Sequence, residues 1–167
     1  MLPEQIIDDS YWVTDSLAAG RYPGSRHART AAEHIARFEQ SGVTRFVDLT
    51  DEGDGLEPYA HLLQAAVRHE RPIADMGIPT VEEMVGTLDL IDAKVDRGEV
   101  VYVHCWGGIG RTGTVVGCWL VRHGSRADDA IGLIRERRSG LPVFSRYPDS
   151  PQTAAQARFV HAWEPGR

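Results

Sequence analysis

Residues 100–116 read VVYVHCWGGIGRTGTVV, and the fold is built outward from them. Val100 to Val103 is a short β-branched apolar run, which predicts a buried strand. His104 and Cys105 stand where that strand ends. Trp106-Gly107-Gly108-Ile109-Gly110 is a loop whose three glycines remove side-chain bulk and permit positive φ, so backbone can approach a ligand closely. Arg111-Thr112 opens a second apolar segment, Val115 to Val121, long enough for a helix. A thiol, loop N–H groups, a helix N-terminus and a guanidinium therefore converge on one point. Such a point suits a tetrahedral dianion with a nucleophile at its floor.

The residue types at this spacing are chemically demanding. A free thiol has a pKa of about 8.5, and a helix N-terminus or nearby cation lowers it to about 3.5–7.5. Cys105 has both in prospect. Arg111 stays charged and offers a planar fork to two phosphate oxygens, which Lys cannot copy. Thr112 can offer its hydroxyl to the sulfur as a leaving group. His104 is expected to hold the loop through a backbone hydrogen bond. Other meanings of the stretch fit less well. Gly108-x-Gly110-x-x-Gly113 matches a dinucleotide fingerprint, but the acidic residue that motif needs about 20 positions on is missing, since Asp128 and Asp129 come early. A Walker loop needs Gly-Lys before Ser/Thr, and Arg111 stands there instead. A purely structural turn leaves Cys105 and Arg111 unexplained.

HCWGGIGRTG resembles the His-Cys-x-x-Gly-x-x-Arg-Thr/Ser signature of the cysteine-dependent protein tyrosine and dual-specificity phosphatases, with matches at residues 104, 105, 108, 111 and 112. The Arg-Thr ending fits a rhodanese-like sulfurtransferase poorly. WVTDSLAAGRYPG resembles, more weakly, the opening of small bacterial-type members. The resemblance implies a phosphocysteine mechanism on Cys105. It places the phosphate on the amides of Trp106, Gly107, Gly108, Ile109, Gly110 and Arg111. Phosphorylated proteins or small phosphomonoesters are then the substrates. The alternatives are inositol phosphates or phosphoinositides, or a phospho-ligand binding module with negligible turnover. Phosphoinositide-directed relatives often carry lysines in this loop, and residues 106–110 have none.

The chain has 167 residues, 42% hydrophobic, and is most simply one domain over 1–167. A net charge of −6 argues against nucleic-acid and anionic-membrane partners. Any anionic substrate must be captured by a local positive site, built from Arg because Lys94 is the only lysine. Cys105 and Cys118 are too few for a disulfide framework, and Cys118 reads as a small core residue. No signal peptide or membrane-length apolar run is visible, so a cytoplasmic location is expected. His27, His34, His61, His69, His123 and His161 lack metal-ligand spacing, and no cofactor is expected.

In chain order, residues 11–13 and 17–20 read as a strand pair, and 28–40 as an amphipathic helix. VTRFVDL at 43–49 is a strand followed by the acidic loop TDEGDG. A helix is predicted over 58–68, a short extended segment over 69–73, and a helix from the capping sequence Thr80-Val81-Glu82-Glu83 to about Arg97. Further helices are predicted over 127–138 and 152–163. Arg135, Arg137 and Arg138 read as a solvated helix face. Alternating strands and helices define an α/β class, with a mainly parallel sheet flanked by helices on both faces. The ligand crevice then lies at the C-terminal strand ends, where Cys105 is.

Phosphoryl transfer also needs an acid for the leaving oxygen. Asp51, Glu52, Asp54 and Asp75 are candidates. Asp75 sits on a Pro-bounded loop 30 residues before Cys105, and PIADMGIP resembles the acid loop of dual-specificity phosphatases. The 51–54 carboxylates read as a solvated face or a substrate rim, since they would repel a phosphate if they faced inward. Gln152 and Gln156 share one helix face and resemble the late glutamines of tyrosine phosphatases, which orient the attacking water. Ser150 reads as the cap of that helix. Tyr22, Tyr59 and Trp106 are candidate pocket walls.

Overall fold

The computed structural model describes all 167 residues. Its strands are β1 (Ser10–Trp12), β2 (Leu17–Gly20), β3 (Val43–Asp48), β4 (Val67–Glu70) and β5 (Val100–His104). They form one sheet in the order β1-β2-β5-β3-β4, parallel throughout except for the antiparallel edge pair β1–β2. The helices are α1 (Ala28–Gln40), α2 (Val81–Val95), α3 (Gly110–Arg122), α4 (Ala127–Arg138) and α5 (Ala154–His161).

The period-2 alternation of strand side chains explains the two layers. On β5, Val101 and Val103 point to a core shared with α2–α5, whereas Tyr102 points to a core shared with α1. On β3, Val47 and Phe46 divide in the same way. The α1 face is aromatic: Phe38, Phe46 and Tyr102 pack with ring centroids 4.2–5.9 Å apart. α3 is buried from Gly110 to Val121, so it is the central helix of the opposite face. Gly117 lets α5 approach it closely, because a Cβ there would lie 2.9 Å from Val160. Thr80 and Glu83 form the expected reciprocal cap of α2: the Glu83 amide donates to Thr80 Oγ1 (3.1 Å) and the Thr80 amide donates to the Glu83 carboxylate (2.8 Å). No helix is long and apolar enough to cross a membrane.

Three local expectations are corrected. Residues 58–68 contain only a 3₁₀ turn, Ala60–Leu62, and the following strand lies at 67–70 rather than 69–73. The reason is tertiary: the Glu39 carboxylate of α1 accepts the amides of Gln64, Ala65 and Ala66 at 2.9–3.0 Å. Three successive N–H groups turned toward one side chain cannot also serve a helix. Arg138 is no part of a solvated face. It is fully buried and donates to the carbonyls of Tyr147 (2.8 Å) and Pro148 (3.2 Å), bracing the segment before α5. Ser150 does not cap α5. Thr153 does, in a reciprocal pair with Gln156.

Candidate active site

β5 ends at His104, and the chain turns through residues 105–109 into the first residue of α3, Gly110. The turn is tight against the start of the molecule. Gly108 has φ +72°, and a Cβ there would lie 2.5 Å from the Arg21 nitrogen and 2.6 Å from the Gly20 oxygen. The Tyr22 amide donates to the Trp106 carbonyl (2.9 Å), and the buried Ser150 hydroxyl donates to the Ile109 carbonyl (2.6 Å). With these carbonyls turned outward to protein partners, the loop amides are left to the cavity.

Cys105 is buried at the floor of this turn, and its Sγ accepts the Thr112 hydroxyl at 3.0 Å. The cavity above has a volume of about 210 Å³ and is lined in part by Asp75, Trp106, Arg111, Tyr147 and Gln152. Behind the sulfur, His104 is wholly buried and edge-packed by Tyr22 and Tyr59. Burial pushes its pKa down, although Asp48 and the Cys105 carbonyl pull the other way, so the ring is neutral. Nδ1 faces acceptors, the Cys105 carbonyl at 3.3 Å and the Asp48 carboxylate at 3.8 Å. We therefore place the proton there, and the Tyr59 hydroxyl donates to Nε2 at 2.7 Å. The predicted backbone bond of His104 is the longer of the two, and Tyr59 buttresses the loop from behind instead of walling the pocket.

Arg111 is 2% exposed, and its environment overturns one expectation outright. Asp54 belongs neither to a solvated face nor to a substrate rim. Its carboxylate binds Nη1 and Nη2 of Arg111 at 2.8 Å each, with the acid's side chain 1% exposed. Nη1 also donates to the Ile73 carbonyl (3.0 Å), and Nη2 lies 3.2 Å from Asp75 Oδ1. Nε makes none of these bonds. Burial raises the Asp54 pKa, but the Arg111 bonds and the Asp51 amide outweigh it, and the carboxyl stays below its ordinary range. Reciprocally, burial works against the Arg111 charge, and Asp54, Cys105 and Asp75 more than restore it. Inward-facing acid thus orients the guanidinium from behind; it does not face the cavity floor.

The acid loop is a tight turn. The Gly77 amide donates to the Ala74 carbonyl (2.9 Å), Met76 takes φ +61°, and the Met76 amide donates to Asp75 Oδ1 (3.0 Å). Asp75 is half-exposed at the cavity mouth. Gln156 is fully buried, with both ends of its amide engaged. Oε1 accepts the Gln152 and Thr153 amides at 3.1 Å, and Nε2 donates to the Gly77 carbonyl at 3.1 Å. It ties the acid loop to the start of α5, while Gln152 lines the cavity from an exposed position.

Comparison with known proteins places this arrangement. Residues 20–125, more than half of the chain, match the family model described as "Polymorphic toxin system, DSP-PTPase phosphatase". The chain belongs to the DSP-PTPase phosphatase family. A putative tyrosine phosphatase of Invertebrate iridescent virus 3 is 34% identical over 116 residues, covering 66% of this chain and 45% of the viral protein. The murine protein tyrosine phosphatase type IVA 3 is 28% identical over 120 residues, covering 71% and 66%. The chain spans less than half the length of several curated relatives it matches. The crystal structure of Tk-PTP in its active form shares the fold, with a TM-score of 0.76 at 22% identity over 93% of this chain and 96% of that one.

In this member of the DSP-PTPase phosphatase family the fold brings Cys105, Trp106, Gly107, Ile109, Gly110, Arg111, Asp75, Gln152 and Gln156 to one cavity, with Thr112 on the Cys105 sulfur and His104 directly behind it. Sequence reasoning named Asp54, Ser150 and Tyr59 in other roles and missed Tyr147. Asp54 carried a usable signal, since Asp51 and Asp54 flank a turn that closes on itself: the Asp51 amide donates to Asp54 Oδ2 and the Gly53 amide to Asp51 Oδ1. A turn so ordered is not a free acidic tail. The other three act only through contacts distant in sequence.

Proposed function

We propose that this domain, residues 1–167, hydrolyses phosphate monoesters through a phosphocysteine on Cys105. The observation that carries the proposal is the Thr112 hydroxyl on Cys105 Sγ at 3.0 Å in the cavity where Arg111 and Asp75 meet at 3.2 Å. Sγ attacks phosphorus in line. The loop amides and the free Nε of Arg111 take the equatorial oxygens as charge shifts onto them. Asp75 gives its proton to the departing oxygen, then receives one from the water that cleaves the S–P bond. Thr112 supports the sulfur as it leaves. Gln152, with its amide uncommitted, orients that water, and Gln156 holds the acid loop. The chemistry uses no metal.

Phosphotyrosine in proteins is the substrate class we favour. Trp106, Met76 and Tyr147 line the cavity mouth and are 56%, 49% and 38% exposed, a rim suited to an aromatic ring. The partner is a phosphoprotein or small phosphomonoester rather than nucleic acid or membrane, and a reducing cytoplasm suits a catalytic thiol. The test is turnover of para-nitrophenyl phosphate with chelator present, and inhibition by vanadate in a separate chelator-free assay. Cys105→Ser is expected to lower kcat by about 10³-fold or more. Retained turnover in that variant removes Cys105 as the nucleophile.

A further inference from the structure

Beside the catalytic cavity lies a second one of about 330 Å³, and Trp106 lines both. Its charged lining is Arg21, Arg26, His27 and a single carboxylate, Glu57. Neither Arg21 nor Arg26 takes part in any of the thirteen ion pairs of the molecule. Both stand free in a chain of net charge −6. The cavity is also fixed relative to the phosphate loop. Gly108 rests directly on the Gly20–Arg21 peptide, and Tyr22 is bonded to the Trp106 carbonyl (2.9 Å). Tyr22 in turn donates its hydroxyl to the Glu57 carbonyl (2.8 Å), closing the far wall. By contrast the catalytic cation, Arg111, is engaged by two carboxylates.

Two unpaired guanidiniums in a concave wall, beside the phosphate loop and across its Trp106, match an anion with two or more acceptor oxygens. Resting on the function proposed above, we infer that the Arg21–Arg26 cavity binds a second phosphate carried on the same substrate molecule. The phosphoester being hydrolysed occupies the Cys105 cavity, Trp106 stands between the two groups, and the neighbouring phosphate engages Arg21 and Arg26. Substrates bearing two phosphates are then preferred over those bearing one. The second phosphate is contributed by a doubly phosphorylated peptide or by a small polyol bisphosphate, both of which present the same dianion.

The test compares kcat/KM for two substrate pairs: a phosphotyrosine peptide with and without a nearby second phosphoresidue, and an inositol monophosphate with the corresponding bisphosphate. The bis-to-mono ratio is expected to be about tenfold in at least one pair. It should shrink with added salt as screening shortens the reach of the guanidiniums, and approach one in the Arg21→Ala/Arg26→Ala double variant. A preference in the peptide pair alone identifies a protein source, and in the inositol pair alone a small-molecule source. Arg26→Ala by itself, at an exposed position, repeats the measurement should the double variant fold poorly. A wild-type ratio near one in both pairs, or a ratio that the substitutions leave intact, overturns the inference. Affinities of the Cys105→Ser variant for the same four ligands give the ratio without turnover. Failure of the wild-type protein to hydrolyse para-nitrophenyl phosphate counts against the catalytic proposal, and a flat binding ratio counts against this one.

Discussion

Asp54→Asn isolates the contribution of the carboxylate behind Arg111. In the native protein both Asp54 oxygens bind the guanidinium at 2.8 Å, and neither side chain is more than 2% exposed. Removing one partner of a buried ion pair costs about 3–5 kcal/mol, mostly because the other charge is left uncompensated. Here Asn retains one hydrogen bond, and Asp75 and the Ile73 carbonyl still contact the guanidinium. The expected loss is therefore smaller, about 2 kcal/mol, read from urea unfolding at pH 7. The substitution also frees the plane of the guanidinium, and misplacement of a positioning group by about 1 Å costs on the order of 10²-fold in rate. kcat/KM for an aryl phosphate should fall by about that factor.

The pH dependence separates this cause from a general loss of packing. The folded Asp54 carboxyl is held below its ordinary range, which is about 3.9 in an unfolded chain. A depressed folded pKa contributes stability that is complete above the unfolded value and is lost as pH falls through the folded one. The stability gap between wild type and Asp54→Asn should thus be constant from pH 7 to about pH 5 and close below about pH 4. A gap that persists unchanged at pH 3, or a kcat/KM within twofold of wild type, refutes the assigned orientation of Arg111 by Asp54.

Other substitutions probe the remaining parts. Asp75→Asn should slow alkyl phosphates more than para-nitrophenyl phosphate, whose leaving group needs no proton; equal slowing of both argues against Asp75 as the acid. Gln156→Leu strands the Gln152 and Thr153 amides and releases the Gly77 carbonyl, so kcat should fall about tenfold while vanadate affinity holds. An unchanged kcat would show that the acid loop does not depend on Gln156. Gly108→Ala forces a Cβ onto the Gly20–Arg21 peptide at a positive φ and should destabilise by more than about 1 kcal/mol, with vanadate binding lost. Normal vanadate affinity in that variant would mean that the loop reshapes freely.

What was legible in the sequence follows from how local the determining forces are. β5, the phosphate loop and α3 are contiguous, so periodicity, three glycines and the Cys-to-Arg spacing locate them, and the sheet class follows from strand–helix alternation. The helix expected at 58–68 failed because its amides are claimed by Glu39, a residue of α1. No local propensity registers a carboxylate 25 positions upstream. Arg138 failed in the same way: its neighbours Arg135 and Arg137 are polar companions on a helix, yet its own guanidinium turns inward to two carbonyls before α5.

The Asp54 misassignment has a more instructive cause. The electrostatic premise was sound, since a carboxylate facing a bound phosphate is repulsive. It assumed that an inward acid must face the phosphate. A guanidinium has two edges, and Asp54 binds Nη1 and Nη2 while Nε remains unclaimed. The acid then sits on the far side of the cation from the cavity. In that position it holds the buried guanidinium in place, because a buried cation without a counterion is costly to retain. Charge sign alone could not separate the two geometries. The deciding quantity is which edge of Arg111 the loop after β3 reaches, and that is set by the parallel pairing of β3 with β5, which brings Asp48 opposite His104. The acidic loop therefore begins level with the end of the catalytic strand, and one of its carboxylates, Asp54, is delivered to Arg111 by sheet register.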